Sequence, residues 1–329
     1  MHWKFWKAPE TQMPATDDPE WERALINKMA AEFLREQRRS RRWGVIFRVG
    51  ILLYLLLLVG AYYADGLVDS LETQEEHTAL IEVRGVIAPE MDASADRLIA
   101  ALRKAFEADK AKAVVLEINS PGGSPVQSGY VNDEIRRLRE KYPDKPVYAV
   151  AEDVCASGAY YIASAADEIY VDKATLIGSI GVRLDSFGFQ RAMEELGIQR
   201  RLLTAGDHKG MLDPFSPLSE WDRGFLQGLL DNLHAQFIDA VKAGRGNRLK
   251  GGDELFSGLF WTGDESVELG LSDGVGSSDY VAREVVGVEE TVKYSTKRDL
   301  LDRLAERIGS SFALTLTGLS AMDGAPILR

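Results

Sequence analysis

Three neighbouring stretches decide the architecture: Pro146-Val147-Tyr148-Ala149-Val150-Ala151, then Ala156-Ser157-Gly158-Ala159-Tyr160-Tyr161, then Glu168-Ile169-Tyr170-Val171. The first and last are short apolar runs that read as buried strands, and the small-residue segment from Ser157 to Ala166 between them reads as a helix. Strand, helix and strand with short connections imply parallel strands with helices on their faces. The same rhythm extends outward. Ala79 to Ile87 alternates and is bounded by glycine and proline, 95–106 has helical period, Ala113 to Asn119 is a largely apolar strand, and 126–141 is a helix that ends before Pro143. Sites in such sheets gather beyond the C-terminal strand ends. Two turns fall there, Asn119 to Ser124 and Glu152 to Ser157.

Composition narrows the classes of function. With 329 residues and 45% hydrophobic content the chain can bury a large core. A net charge of −12 argues against a nucleic-acid partner, because a phosphate backbone wants a basic face. The single cysteine, Cys155, excludes an intrachain disulfide framework and a multi-cysteine metal site. No metal or cofactor motif stands out.

From Val49 to Ala64 the chain carries no charge, and extension back to Gly44 gives a run long enough to cross a hydrocarbon core of about 30 Å, with Arg48 able to snorkel. Arg35, Arg38, Arg39, Arg41 and Arg42 precede it; Asp65, Asp69, Glu72, Glu75 and Glu76 follow. The positive-inside rule then predicts one transmembrane helix over 44–64, with residues 1–43 as a cytoplasmic basic tail. The expected localisation is the cytoplasmic (inner) membrane, single-pass, with the following domain outside. A cleavable signal peptide is the rival reading. Against it stand a polar lead of over forty residues and the lack of a small-x-small cleavage site. Leu25, Met29, Phe33 and Leu34 recur at near-helical spacing, which suits either a helix on anionic lipid or a solvated tail. The remaining divisions are a linker over 65–78, the main domain over 79–290, and a helical segment over 291–329 that packs against a neighbour or its own core.

Ser157 reads in two ways. A serine opening a helix is an N-cap, worth about 1 kcal/mol. The same place sets its hydroxyl beside the Gly158 N–H and the positive helix end, where a tetrahedral oxyanion would form. A serine nucleophile needs a base. Of the four histidines, only His208 is near a candidate loop, and it reads as a surface residue. Lys209, in Thr204-Ala205-Gly206-Asp207-His208-Lys209-Gly210, is the better candidate. Lysine serves as a base only where burial lowers its pKa from about 10.4 toward the working pH. Otherwise Lys209 is a solvated surface charge.

Five blocks in order carry a resemblance: Asn119-Ser120-Pro121-Gly122-Gly123, Ala156 to Tyr161, Ile177-Gly178-Ser179-Ile180-Gly181-Val182, Thr204 to Lys209, and Phe256 to Asp273. Together they resemble the signal peptide peptidase A (SppA) family of membrane-anchored Ser-Lys proteases over roughly residues 79 to 280. The resemblance implies an α/β fold with a ClpP/crotonase-like parallel-sheet domain. It also implies Ser157 as nucleophile, Lys209 as general base, Ser179 as the residue that orients the lysine, and Gly122 and Gly158 as backbone oxyanion donors, with Gly123 able to replace Gly122. The implied partners are peptide substrates such as remnant signal peptides, the lipid bilayer, and further copies of the chain in a ring-like homo-oligomer. The alternatives are a crotonase-like acyl-CoA enzyme and a non-catalytic membrane scaffold.

Overall fold

The computed structural model describes residues 21–72 and 75–294. It divides into two units, Met1–Leu71 and Glu72–Arg329. The described part of the first unit is one helix, α1 (Trp21–Glu72). Its described side chains, which end at Leu57, are exposed apart from a half-buried Lys28, and the exposed ones include Ile26, Met29, Phe33 and Leu34. Among the described residues no helix is long and apolar enough to cross a membrane. Side chains over 58–64, and residues 295–329 of the expected helical segment 291–329, lie outside the described residues; the described start of that segment, Thr291–Lys293, is a strand that pairs with the main sheet.

The second unit is the expected α/β domain. In chain order it runs β1 (His77–Arg84), α2 (Ala95–Glu107), β2 (Ala111–Ser120), α3 (Pro125–Lys141), β3 (Val147–Ala156), α4 (Gly158–Ala163), β4 (Glu168–Val171), β5 (Leu176–Gly178), α5 (Gln190–Glu195), α6 (Glu220–Arg245), β6 (Phe260–Thr262), α7 (Gly263–Glu268), β7 (Gly274–Val275), α8 (Ser278–Tyr280) and β8 (Thr291–Lys293). The sheet has the order β6-β5-β3-β2-β1-β8, with β4 branching from β3 and β7 from β4. Every pairing is parallel except β5 with β6.

Strand β3 is where the sheet divides. Tyr148 to Ala151 pair with β4, whereas Val154 to Ala156 pair with β5. The expected turn over Glu152 to Ser157 is therefore strand as far as Ala156. Two polar residues disguised it, and both have partners at this edge: Glu152 binds Arg84 at 2.7 Å, and Asp153 accepts from Asn119 Nδ2 at 2.8 Å.

Burial explains why β2 does not alternate. Ala113, Val114, Val115 and Leu116 are all buried. One face, with Ala79, Ile81, Val114, Leu116 and Ile118, shares a core with the helices; the other, with Leu80, Val115 and Val150, packs on Val281. Each fully buried Leu, Ile or Val contributes about 1.5–3 kcal/mol of transfer free energy. Helix α2 buries Leu98, Ala101, Leu102, Ala105 and Phe106, one stripe at helical spacing. Its C-terminal carbonyls receive Lys145, whose Nζ donates to Ala105 O, Phe106 O and Ala108 O. Burial pushes the Lys145 ammonium pKa down. Glu134 on α3 joins α3 to α2 by accepting from Arg137 and Arg103 at 2.7 Å each. The Arg137 bond foremost, with Arg103 assisting against the opposing effect of burial, holds its carboxyl down to about 2.

Candidate active site

Strand β3 runs directly into Ser157, and the chain reverses there into α4. Ser157 has φ +52° and ψ −123°, a conformation that L residues other than glycine rarely adopt. Holding it costs on the order of 1–3 kcal/mol. Its N–H donates to Gly178 O at 2.8 Å, and its carbonyl accepts from Tyr161 N at 2.9 Å. The side chain makes no capping hydrogen bond. Ser157 is therefore not an ordinary N-cap serine; it occupies a sharp strand-to-helix turn that leaves its half-buried hydroxyl uncommitted. Helix α4 is only six residues long and stops at Ala163, short of the expected Ala166, so its macrodipole is weaker than a longer helix would supply.

The Asn119–Ser124 turn packs against this elbow. A Cβ on Gly122 would lie 2.6 Å from both Ala156 O and Gly158 N and 2.9 Å from Ser157 Cβ, so Gly122, at φ +93°, has no room for a side chain. The turn is tied to the chain after β1: Ser120 Oγ donates to Gly85 O at 2.6 Å, Ile87 N–H to Gly122 O at 2.9 Å, and Ser124 N–H to Ile87 O at 2.7 Å. Gly122 N–H is engaged by Ser120 Oγ at 3.1 Å. Gly123 N–H and Gly158 N–H make no hydrogen bond among the described residues. They lie close together, since a Cβ on Gly158 would be 3.2 Å from Gly123 N. Gly123 is exposed while Gly122 is buried.

Ser179 also has positive φ, +50°, and follows Gly178 at φ +106°. Its N–H donates to Leu259 O at 2.7 Å, which anchors the turn to the chain entering β6. Trp261 leans over Gly178, whose missing Cβ leaves space for the indole; a Cβ there would meet Trp261 Cδ1 at 3.0 Å. The Trp261 Nε1 and Ser128 Oγ atoms are both buried without a partner. Ser128 stands behind Gly158, its Oγ 2.5 Å from where a Cβ would sit.

The structure thus gathers Ser157, Gly158, Gly122, Gly123 and the Gly178–Ser179 turn. It does not bring Lys209 to them. Lys209 is exposed in a turn closed by its own N–H to Gly206 O at 3.1 Å, and its ammonium makes no hydrogen bond or ion pair, with Ser157 or any other described residue. Cys155 is fully buried, and burial pushes its thiol pKa far above the ordinary value, so it is no nucleophile. No group of three or more histidine, cysteine, aspartate or glutamate side chains among the described residues could hold a metal ion. Beneath the elbow, Tyr160 OH donates to Leu271 O at 2.8 Å. The fully buried Arg245 binds Asp273 through two bonds of 2.6 and 2.9 Å.

Sequence reasoning missed Ser128 and Trp261 as site neighbours. Their signal was present only as membership of otherwise unremarked runs, one on α3 and one in the fifth block. Ser120 stood inside the first block, but its hold on Gly122 N–H depends on a distant acceptor, Gly85 O.

Comparison with known proteins adds the relatives. The model of the family described as Peptidase family S49 matches residues 139–291. The chain is 32% identical over 201 residues to a putative protease of Synechocystis sp., covering 61% of this chain and 70% of that one. It is 32% identical over 177 residues to a putative signal peptide peptidase SppA of Enterococcus faecium, covering 54% and 51%. A Brucella abortus protein named Na(+)/H(+) antiporter NhaA is 44% identical over 209 residues, which are 63% of this chain but 28% of that protein. The chain spans little more than a quarter of the length of the Brucella relatives it matches.

Proposed function

Because the chain belongs to peptidase family S49, we propose that it is a serine endopeptidase with Ser157 as nucleophile and Lys209 as general base. The observation that carries this reading is the backbone of Ser157. A strained residue whose hydroxyl caps nothing, in an elbow packed against the turn that carries an unspent Gly123 amide and followed by the unspent Gly158 amide, is an arrangement suited to acyl transfer. In the proposed reaction the neutral Lys209 amine takes the Ser157 proton as Oγ attacks a peptide carbonyl carbon. The oxyanion receives hydrogen bonds from Gly123 and Gly158, and Gly122 shapes the turn that presents them. The lysine ammonium returns the proton to the leaving amine, and water then hydrolyses the acyl ester by the reverse sequence.

Ser179 is the proposed lysine-orienting residue, its half-buried hydroxyl being without a hydrogen bond. Lys209 reaches the serine once its turn is covered. Leu184, Phe187, Leu196, Leu203, Trp221 and Phe225, all exposed in and around that segment, support a homo-oligomer in which neighbouring copies supply the cover. Remnant signal peptides and other short or unfolded apolar chains are the proposed substrates, in keeping with the small residues around Ser157 and with the name of the Enterococcus relative. The apolar run over 44–64 and the arginines before it support placing the enzyme on the extracytoplasmic membrane face.

The test is hydrolysis of an unfolded apolar peptide, with covalent labelling by a fluorophosphonate. Ser157→Ala is expected to abolish both, and Lys209→Ala to abolish turnover. Full hydrolysis by either variant refutes the dyad, and activity toward acyl-CoA esters that survives Ser157→Ala would establish the crotonase-like alternative.

A further inference from the structure

We infer that His208 is a positioning residue, which docks the turn carrying Lys209 onto the first turns of α6. The inference rests on the reading of Lys209 as the base. The turn over Gly206 to Met211 is closed by backbone hydrogen bonds of its own, from Lys209 N–H to Gly206 O and from Met211 N–H to His208 O, each 3.1 Å. Those bonds fix its shape but not its place. Among the described residues, the one side chain of this turn with a ring contact, hydrogen bond or ion pair to another element is His208.

That contact is close and flat. The His208 ring stacks on Trp221 with centroids 3.7 Å apart and planes 15° from parallel, and Trp221 stacks in turn on Phe225 at 5.3 Å and 8°. His208 Nδ1 also lies 3.8 Å from Asp222 Oδ1, an ion pair whenever the ring is charged. The receiving surface is rigid. Ser219 and Asp222 form a capping box, with Ser219 Oγ donating to Asp222 Oδ2 at 2.7 Å and Asp222 N–H donating back to Ser219 Oγ at 3.0 Å. Trp221 and Asp222 therefore sit on a fixed helix start, and His208 transmits that fixity to its neighbour. Stacking of this kind is directional, so it limits translation and tilt of the turn together. Lys209, adjacent in the chain and without a partner of its own, moves with the stack, so that when neighbouring copies cover the segment the turn and the start of α6 approach Ser157 as one body and present the amine in a fixed orientation.

The experiment is steady-state peptide hydrolysis by the full chain bearing His208→Ala, His208→Phe, Trp221→Ala, the His208→Ala/Trp221→Ala double change, and Lys209→Ala. Misplacement of a catalytic group by about 1 Å can cost on the order of 100-fold in rate. His208→Ala is expected to lower kcat about 10- to 100-fold with KM altered less than about 2-fold, and His208→Phe to restore kcat to within about 3-fold because the flat ring remains. The double change is expected to be no worse than either single change, as for two halves of one contact. Wild-type kcat in His208→Ala, an equal loss in His208→Phe, or a change confined to KM would each overturn the inference while leaving Lys209 as the base. Undiminished turnover in Lys209→Ala would instead overturn the base assignment, and the inference with it.

Discussion

Replacement of Gly122 by alanine tests the elbow at its tightest contact. The added Cβ would lie 2.6 Å from Ala156 O and Gly158 N and 2.9 Å from Ser157 Cβ, and none of these atoms is the far end of a flexible side chain. Relief to an ordinary contact of 3.4 Å requires the elbow to retreat by about 0.8 Å. Positive φ at an alanine adds roughly 1–2 kcal/mol of backbone strain. A retreat of that size draws the Gly158 amide away from the place where the oxyanion forms, and loss of one such donor costs about 2.7–4 kcal/mol, or 100- to 1,000-fold in kcat. Gly197→Ala is the matched control, because Gly197 also has positive φ, +69°, but nothing within 4 Å of the new Cβ. The assay pairs peptide hydrolysis with thermal denaturation. Both variants are expected to lose roughly 1–2 kcal/mol of stability from strain, while only Gly122→Ala loses activity by 100-fold or more. If Gly122→Ala turns over within 2-fold of the unaltered chain, the elbow is not held by this contact and the oxyanion assignment fails.

Three further outcomes follow from buried polar groups. Burial alone would raise the Asp273 carboxyl, but the hydrogen bond and charge of Arg245, the Ile169 N–H and Arg248 outweigh it and hold the pKa below its ordinary value. Its stabilisation is therefore present above the unfolded pKa of about 3.9 and is lost as pH falls through the native value. Asp273→Asn should cost about 3–5 kcal/mol near neutral pH by leaving Arg245 buried and unpaired, and should flatten the decline in melting temperature on acidification. Tyr160→Phe leaves Leu271 O without its 2.8 Å donor and should lower the denaturant midpoint by an amount worth about 1–3 kcal/mol, with an unchanged slope. Ser128→Ala removes a hydroxyl that is buried and unpaired, so stability measured the same way should be unchanged or rise by about 1 kcal/mol.

The periodic part of the fold was legible because each element satisfies its own pattern. Helix α2 begins at Ala95 and strand β4 spans Glu168–Val171, where the apolar spacing puts them. Strands β5 and β6 were hidden because three residues cannot display a period, and each is defined by partners distant in sequence, β5 by β3 and β6, and β6 by β5. The far half of β3 was hidden by Glu152 and Asp153, whose charges are answered by Arg84 and Asn119 from neighbouring strands. At the site, the glycines around Ser157 could be named from sequence, but not which amide is spent. That depends on Ser120 Oγ, itself placed by Gly85 O. The strain at Ser157 is likewise tertiary, set by an acceptor on Gly178. Lys209 is the residue about which spacing says least, because fifty residues of chain impose no separation in space.

The backbone ties around Ser157 also have a meaning in time. Ser157 N–H waits for Gly178 O, and the Gly178–Ser179 turn waits for Leu259 O, more than a hundred residues after the serine. A ribosome adding about 5–20 residues per second needs on the order of 5–20 seconds to cover that distance. Throughout that interval the growing chain contains the serine but not its strained backbone shape; if Ser157 is the nucleophile proposed above, the chain is inert toward its own unfolded segments while they are most open to attack.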